Sequence, residues 1–595
     1  MTLDPSPPNR QVVLNVTGVE KSAARTLLPL VRDLLTVAAY VFLADGAVPR
    51  ARKRDPLAKN WRRELALHVP VHEPDRWNAV RDELTAVLEF ATDDSWTFEF
   101  RRGQADEQLK LDLVAAGGDD PTCVSLFSGG LDSLAGALRL VDDGERPILA
   151  SHWTTNTGRS FKDGVLEVLR TTKAGWRFPN PTLQTVRGPG AGDAQDYTQR
   201  SRGVLYLGLG VAVAMQAGLN RLIVPENGVT SLNLAQSAQS VGAMRSRTTH
   251  PKTLWLYRQL LVALGIEVTV ETPFADSTKA DVIREAITRG GEALAHRTVS
   301  CARGMFRRPI QPHCGTCSQC VDRRFAGIAA GWDDDIERPQ HQVDLFRDPL
   351  KDGEPAMYAE QYLRFAWTTL DMTPDDLARE QDVWRAAQVA GNVNDEITRI
   401  YALVQRHAEQ IDGAYQAVWT RNHPDYVRGK LPTGGLLRRI GELEHRREPW
   451  ERLADRIAEV VTPAIRKGFA GHQPSNEDEL QRQIDVAQTA AKMNLDREFP
   501  TVSFGQVGTR PDFSGSTQGD AADEPDLFVE AKLVRMKSDV RKVTDEMLAD
   551  IPKYADRGRS ALFLVYDLGG FIADDSDFVG RFEERGPVRV RVLRR

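Results

Sequence analysis

The sequence predicts a multidomain α/β protein. The chain has 595 residues, and a guide value of about 150 residues per domain gives about four domains. From Thr122 onward, short buried strand patterns alternate with helical patterns, which is typical of a parallel sheet covered by helices on both faces. A hydrophobic content of 41% and a charged content of 27% are those of a folded globular chain and exclude wholesale disorder.

The sequence also excludes four other classes of protein. The longest apolar stretch, Gly203–Met215, is shorter than the about 20 residues that a bilayer requires. The N-terminal residues do not combine a basic start with an apolar run, so no secretory signal is expected. Five cysteines are too few for a disulfide scaffold, and the net charge of −6 excludes a generally basic nucleic-acid coat. We therefore expect a cytoplasmic protein that does not bind a membrane.

Changes in pattern divide the chain into four expected regions. Residues 1–115 mix strand and helix patterns and predict an N-terminal α+β module. Residues 116–335 hold the alternating strands and helices of the α/β domain, and residues 336–470 read as charged, amphipathic helices. Residues 471–595 begin with a helix and then turn to strands, which predicts a second α/β domain.

One motif joins a buried strand to a helix. The apolar strand Cys123–Phe127 leads into Ser128-Gly129-Gly130-Leu131-Asp132-Ser133, and a helix with one apolar face follows. Glycines let the backbone approach a phosphate closely, and amide hydrogens at a helix start attract the anion. The serine hydroxyls add donors, and Asp132 can bind Mg²⁺ that bridges a pyrophosphate. A Gly-Gly turn with a capping side chain is the alternative, but the agreement of all six positions favours a phosphate site.

This loop resembles the motif of the PP-loop ATP pyrophosphatases. The resemblance implies an adenine nucleotide alpha hydrolase-like sheet domain, which splits ATP between the α and β phosphates to adenylate a substrate. Lys279, at a helix start within Asp276–Ile283, resembles the lysine of the family that reaches the phosphates. A solvated lysine is the alternative. Arg200 and Arg202 resemble the substrate-side arginine, and which of them matches stays open.

Four of the five cysteines form a second motif. Two-residue gaps let successive thiolates turn onto one metal ion, and four thiolates suit tetrahedral Zn²⁺ without an open position. We therefore predict a structural zinc site. His313 is an alternative ligand, and Cys123 is expected to be a buried strand residue. The predicted zinc ligands are Cys301, Cys314, Cys317 and Cys320.

Together, the loop and the cysteines resemble the 7-cyano-7-deazaguanine synthases over about residues 118–335. This family uses ATP to convert 7-carboxy-7-deazaguanine into an amide and then a nitrile, which implies ATP, Mg²⁺ and Zn²⁺ as cofactors. The chain departs from the family in the long insertion between Cys301 and Cys314. It also has Gln199–Gly203 where the family has Gly-Arg-Asn. These departures leave the nitrogen nucleophile and the product open.

A third motif lies near the C-terminus. Asp512 follows a proline, and Glu530 and Lys532 lie two residues apart in a strand pattern, where they share one face. Two carboxylates can hold Mg²⁺ while the lysine orients or activates water. The arrangement resembles the PD-(D/E)XK nucleases, as in restriction endonucleases. Asp526 competes with Asp512 as the metal ligand, and a solvated strand face is the alternative to a nuclease site.

The final residues alternate arginine and valine, which predicts a strand with one basic face. That face suits a phosphate backbone, and a charged edge strand that resists aggregation is the alternative. The arginines are Arg585, Arg589, Arg591, Arg594 and Arg595.

The combined resemblances imply an ATP-dependent synthase fused to a nuclease-like domain in bacterial antiphage defence, where deazaguanines are attached to macromolecules. The alternative is plain 7-cyano-7-deazaguanine synthesis in the queuosine pathway, with the C-terminal domain a catalytically silent binding module. The expected partner is a deazaguanine-type small molecule. A protein acceptor, DNA and a second copy of the chain in a homodimer are further partners left open.

Overall fold

The computed structural model divides into two compact units, Met1–Ile440 and Gly441–Arg595. It describes residues 2–3, 13–15, 25–26, 28–48, 62–103, 110–111, 120–153, 156–186, 200–232, 234, 247–302, 311–332, 334–351, 354–446, 449–491, 493, 495–497, 511–516, 527–555, 559–583 and 585–594. Strands and helices occur in both units, so the predicted multidomain α/β architecture is confirmed. The predicted four-part division of the chain stays a prediction.

The first unit contains eleven strands and sixteen helices among the described residues. The strands are β1 Thr2–Leu3, β2 Val13–Asn15, β3 Arg25–Thr26, β4 Glu64–Val71, β5 Ser95–Arg102, β6 Lys110–Leu111, β7 Cys123–Leu126, β8 Pro147–Trp153, β9 Thr182–Val186, β10 Arg221–Ile223 and β11 Thr269–Glu271. The helices are α1 Pro29–Ala47, α2 Pro74–Ala79, α3 Arg81–Thr92, α4 Leu131–Asp142, α5 Asn156–Thr172, α6 Arg202–Ala217, α7 Gly228–Leu232, α8 Pro251–Ala263, α9 Lys279–Gly290, α10 Glu292–His296, α11 Ser318–Ala329, α12 Asp334–Glu337, α13 Glu354–Asp371, α14 Pro374–Ala378, α15 Gln381–Ala387 and α16 Val393–Val427, with a 3₁₀ helix at Arg338–Gln340.

The main sheet of this unit has the strand order β11-β10-β7-β8-β9-β2. All neighbouring strands are parallel except β2 and β9, which are antiparallel. The chain runs from β7 towards β8 and β9 on one side, and then returns to β10 and β11 on the other. The loops that follow β7 and β10 therefore diverge, and such a switch point opens a crevice at the carboxyl ends of the strands.

An apolar helix packs on the main sheet, and a second helix packs on that helix. Helix α6 packs on β7 and β8, and α1 packs on α6. Residues of the predicted N-terminal module and of the predicted α/β domain, such as Leu35, Val69 and Val211, lie in one hydrophobic core. The N-terminal module therefore helps to bury the helix that supports the sheet. Among the described residues, no helix combines the length and the hydropathy needed to cross a bilayer.

The second unit is built on a five-stranded sheet. Its order is β12 Asp496–Arg497, β13 Phe513–Gly515, β14 Leu527–Val534, β15 Ser560–Asp567 and β16 Val588–Leu593. The first two pairings are antiparallel and the last two are parallel. The helices are α18 Pro449–Gly468, α19 Glu477–Ala490, α20 Lys537–Ala555 and α21 Asp575–Glu583, and α17 Leu436–Arg446 crosses the boundary between the units.

Alternate residues of the central strands β14 and β15 point into two hydrophobic cores. Val529 and Leu562 pack with residues of α18 and α19, whereas Phe528 and Phe563 pack with residues of α20 and α21. Helices therefore cover both faces of the sheet, which is why both strands are buried along their whole length. Helix α18 lies within the predicted helical region, but its apolar side chains belong to this second unit.

Candidate functional site

The phosphate-loop motif lies at the switch point between β7 and β10. Ser133 Oγ donates a hydrogen bond to the carbonyl of Gly130 (2.8 Å), whose own N–H donates to Ser128 Oγ (3.2 Å). Gly129 has φ of +76°, and a Cβ atom there would come within 3.1 Å of the backbone of α5. Helix α4 begins at the buried Leu131. The loop therefore presents hydroxyls and the free amides of a helix start at the crevice.

Asp132 and Lys279 meet at this loop although they lie far apart in the sequence. Lys279 Nζ is 2.9 Å from Asp132 Oδ1, and Asn227 Nδ2 donates to Asp132 Oδ2 (2.9 Å). Lys279 is the first residue of α9, whose start is closed by reciprocal hydrogen bonds between Thr278 and Asp281. Burial opposes ionisation of Asp132, but the Lys279 ammonium lowers the pKa of this carboxyl group below its ordinary value.

Glu226 is a site residue that sequence reasoning missed. It follows β10, as Asp132 follows β7, and the carboxyl groups of Glu226 and Asp132 interact electrostatically. Burial first, and the Asp132 charge second, raise the pKa of Glu226 to about 8. The sequence signal was Pro225-Glu226-Asn227 after a predicted strand. Two carboxyl groups and an amide therefore converge at this point, and oxygen ligands of this kind suit Mg²⁺.

A helix of the predicted helical region reaches this site through α11 of the predicted α/β domain. Asp322 of α11 interacts electrostatically with both Glu226 and Lys279. The hydroxyl of Tyr362, on α13, donates to Asp322 Oδ1 (2.6 Å). Asp322 and Tyr362 therefore extend the charged cluster away from the loop. Sequence reasoning assigned no role to either residue.

Helix α16 holds the start of α9 in place. Gln410 Nε2 donates to Asp281 Oδ1 (2.9 Å), and Thr278 Oγ1 donates to Gln410 Oε1 (2.6 Å). Arg406 Nε donates to Asp281 Oδ2 (3.2 Å). Since Lys279 lies between Thr278 and Asp281, these contacts fix the lysine that pairs with Asp132.

The two candidate arginines lie in different surroundings. Arg200 is buried, and its Nη1 donates to the carbonyl of Thr92 (3.0 Å), in the predicted N-terminal module. The Arg202 guanidinium lies over the Tyr206 ring at 5.5 Å and interacts electrostatically with Glu226. Of the two arginines, the structure therefore associates Arg202 with the crevice.

The four cysteines lie together. Their sulfur atoms are within 4.8 Å of one another, and all four residues are buried. The Cys317 N–H donates to Cys314 Sγ (3.3 Å), which is typical of a thiolate that binds a metal. Neighbouring thiols, first that of Cys301, lower the pKa of Cys314. Gly315 has φ of +84°, and a Cβ atom there would lie 2.1 Å from the Val343 carbonyl oxygen. This buried set of four soft donors fits Zn²⁺.

His313 and Cys123 lie outside this group of four sulfur atoms. His313 stacks on His341 with ring centroids 4.7 Å apart, and these two residues group with Glu337 instead. Cys123 is buried in β7, and burial raises the pKa of its thiol to about 11. Cys123 therefore stays a neutral thiol near pH 7, which is what a strand residue of the core requires.

We predict one zinc ion per chain, and loss of that zinc in Cys317→Ser. The melting temperature of this variant is expected to fall by about 10 °C or more, because zinc binding free energy is folding free energy and each kcal/mol shifts Tm by roughly 2–4 °C in a domain of this size. Metal analysis and thermal unfolding measure the two effects. Cys123→Ser is the matched control and is expected to keep one zinc. A zinc-free wild-type protein after purification without chelators would contradict the prediction.

The C-terminal motif residues come together at β13 and β14. Asp512 Oδ2 accepts a hydrogen bond from Ala531 N–H (2.7 Å), and Lys532 Nζ is 3.5 Å from Glu530 Oε2. Burial first, and the Asp512 charge second, raise the pKa of Glu530 to about 7. The rival Asp526 lies outside the described residues. The two carboxyl groups and the lysine therefore form one partly buried cluster.

Helices α19 and α20 add groups to this cluster. Lys532 Nζ lies 3.8 Å from Asp550 Oδ2, and the Tyr554 hydroxyl donates to Glu530. Glu477 Oε1 accepts from the Leu533 N–H (3.1 Å) and interacts electrostatically with Asp512. Sequence reasoning assigned no role to Asp550. Carboxylates around a lysine suit a divalent cation and a positioned water.

The described arginines of the last strand are engaged within the unit. Arg589 pairs with Glu451, Arg591 with Asp455, and Arg594 with Asp575. These ion pairs favour the predicted charged edge strand over a basic face for a phosphate backbone. Arg595 lies outside the described residues.

One family model matches part of the chain. The model described as Queuosine biosynthesis protein QueC matches residues 255–330. This segment contains Lys279 and all four clustered cysteines, whereas the loop Ser128–Ser133 lies before it. The match supports a QueC-like domain, and a QueC-like domain favours ATP-dependent 7-deazaguanine chemistry. No curated protein matches the chain significantly.

Proposed function

We propose that the first unit adenylates a carboxylate at the loop Ser128–Ser133, and that the carboxylate is that of 7-carboxy-7-deazaguanine. The single observation that carries the proposal is the ion pair of Asp132 with Lys279, which sets a carboxylate and an ammonium at the loop Ser128–Ser133. The similarity of residues 255–330 to the QueC family supports the choice of a deazaguanine substrate.

The reaction divides between these groups as follows. Loop amides and hydroxyls bind the phosphates, and a carboxylate oxygen of the substrate attacks the α-phosphorus of ATP. The bond to the β-phosphate breaks, and pyrophosphate leaves with its charge compensated by Lys279. A nitrogen nucleophile then attacks the acyl carbon, and AMP leaves with the former carboxylate oxygen. Asp132 and Glu226 would hold Mg²⁺, which supplies charge neutralisation for the phosphates when it is bound.

Pyrophosphate release tests this proposal. The full-length protein with ATP, Mg²⁺ and a nitrogen donor is expected to form pyrophosphate and AMP in equal amounts only when 7-carboxy-7-deazaguanine is present. Coupled detection of pyrophosphate, together with chromatography of the nucleotides, measures both products. Formation of ADP and orthophosphate instead would contradict adenylation.

The final product that contains the acyl group distinguishes two biological roles. We propose conjugation of the deazaguanine to a macromolecule in bacterial antiphage defence, because the chain carries much more than the synthase-like region. The alternative is amide and nitrile formation for the queuosine pathway. Mass spectrometry of products formed with and without candidate acceptor proteins distinguishes them: a mass increase on a protein favours conjugation, and a free nitrile favours the alternative.

We propose that the second unit is a PD-(D/E)XK-like nuclease. The observation that favours it is the cluster of Asp512, Glu530 and Lys532 at neighbouring strands of a mixed sheet. Asp512 and Glu530 would hold Mg²⁺, and Lys532 would orient or activate the attacking water. The competing proposal is a catalytically silent binding module, and the Lys532 variant in the Discussion separates the two.

A further inference from the structure

A second lysine lies directly beside the phosphate loop. Lys162 is in the middle of α5, and a Cβ atom on Gly129 would lie 3.1 Å from its Cα, Cβ and Cγ atoms. The stem of this lysine therefore packs against the glycine of the loop. Lys279 lies by Asp132 of the same loop, so two lysines of different helices flank one phosphate-binding motif.

The two lysines differ in their partners. Lys279 has the Asp132 carboxylate, whereas Lys162 Nζ is buried with no hydrogen-bond partner among the residues that the structure describes. Lys162 is 3% exposed. Burial lowers the pKa of this amine to about 8. Burying an amine without a hydrogen-bond acceptor destabilises the folded state. A bound ligand that accepts hydrogen bonds from the amine would offset this cost.

The groups around Lys162 leave the region positive. His152 is buried, and burial, Arg202 and Lys162 together lower its pKa to about 3, so its ring is neutral. Arg202, which associates with the crevice, therefore lies near enough to Lys162 for both to act on one imidazole. Asp163 also acts on Lys162, but it is the next residue on α5 and accepts no hydrogen bond from Nζ. A buried ammonium in positive surroundings suits an oxyanion.

We propose that the Lys162 ammonium binds an oxyanion at the loop Ser128–Ser133, and that this oxyanion belongs to the phosphates of the nucleotide. The inference rests on the proposed function for its choice of nucleotide. A carboxylate of the acyl substrate has the same chemistry, but the contact of Lys162 with Gly129 places the lysine stem at the phosphate loop itself. The Lys162 ammonium would contact the phosphates from α5, whereas Lys279 would contact them from α9.

Binding measurements with Lys162→Met test the proposal on the full-length protein. Calorimetry with inorganic pyrophosphate and with α,β-methylene ATP, both with Mg²⁺, is expected to show affinity losses of about 10- to 100-fold, because a charge-assisted hydrogen bond is worth about 1.5–3 kcal/mol. Affinity for 7-carboxy-7-deazaguanine is expected to stay unchanged. The melting temperature without ligand is expected to rise, since a buried charge is removed.

Lys173→Met is the matched control, because Lys173 directly follows α5 and pairs with Asp142 away from the loop. It is expected to bind all three probes like wild type. Lys162→Gln is the second variant if Lys162→Met does not fold, with the same expected losses. Wild-type affinity for both phosphate probes would overturn the proposal, and so would loss of carboxylate binding alone. Failure of the proposed function appears separately, as a wild-type protein that binds pyrophosphate but forms none from ATP and the carboxylate.

Discussion

Asp132→Asn is expected to lower the rate of pyrophosphate release by about 10³-fold or more. The carboxylate holds Lys279 at 2.9 Å and interacts electrostatically with Glu226, so its loss removes a proposed metal ligand and releases the ammonium together. A metal ion contributes several kcal/mol of transition-state stabilisation, and each 1.4 kcal/mol is a factor of ten in rate. Single-turnover release of pyrophosphate from ATP and 7-carboxy-7-deazaguanine measures the effect.

The fold of Asp132→Asn is expected to persist. Glu226 already interacts with Lys279 and can become its carboxylate partner once Asp132 is neutral. Asp142→Asn is the matched control on α4, because Asp142 pairs with Lys173 and Arg289 away from the loop. The control is expected to release pyrophosphate at the wild-type rate. If Asp132→Asn keeps more than a tenth of that rate, Asp132 does not take part in the reaction.

Lys532→Ala is expected to lower the rate of Mg²⁺-dependent nucleic-acid cleavage by the second unit by about 10³-fold. Lys532 lies near the carboxyl groups of Glu530, Glu546 and Asp550. Burial opposes its charged form, but the charges of Glu530 and Asp550 outweigh burial and raise its pKa, so it stays charged. Removing the cation leaves the attacking water unpositioned and the developing negative charge uncompensated. Gel analysis of DNA, in a setting where the whole protein is active, measures cleavage.

Lys537→Ala is the control for charge removal, because Lys537 is an exposed residue at the start of α20. It is expected to cleave like wild type. DNA binding is measured in parallel for all three proteins. If Lys532→Ala equals wild type in the activity of the whole protein and in DNA binding, the second unit is a binding module rather than a nuclease.

Features that lie within a few consecutive residues were predictable. Residue spacing alone identified two motifs, the loop Ser128–Ser133 and the run Cys314–Cys320. In the structure, hydrogen bonds join residues within the loop, and the sulfur atoms of the cysteines cluster together. The period-two rule placed Glu530 and Lys532 on one strand face, and their side chains lie 3.5 Å apart. Local geometry alone decides each of these arrangements.

Features that depend on strand order or helix packing were not predictable. Glu226 becomes a neighbour of Asp132 only because β10 lies beside β7, and nothing in the sequence states that order. Lys162 has the sequence surroundings of an exposed helical lysine, and the sequence does not reveal that α5 packs against Gly129 and that this lysine is buried. Gln410 acts on the start of α9 across more than a hundred residues of chain.

The path of one oxygen atom tests adenylation most directly. 7-Carboxy-7-deazaguanine with ¹⁸O in its carboxylate is incubated with the full-length protein, ATP, Mg²⁺ and a nitrogen donor, and the phosphate products are analysed by mass spectrometry. The proposed mechanism predicts one ¹⁸O atom in AMP and none in pyrophosphate, because the carboxylate oxygen that attacks the α-phosphorus leaves with AMP. Label in orthophosphate, or unlabelled AMP accompanied by the acyl product, would contradict it.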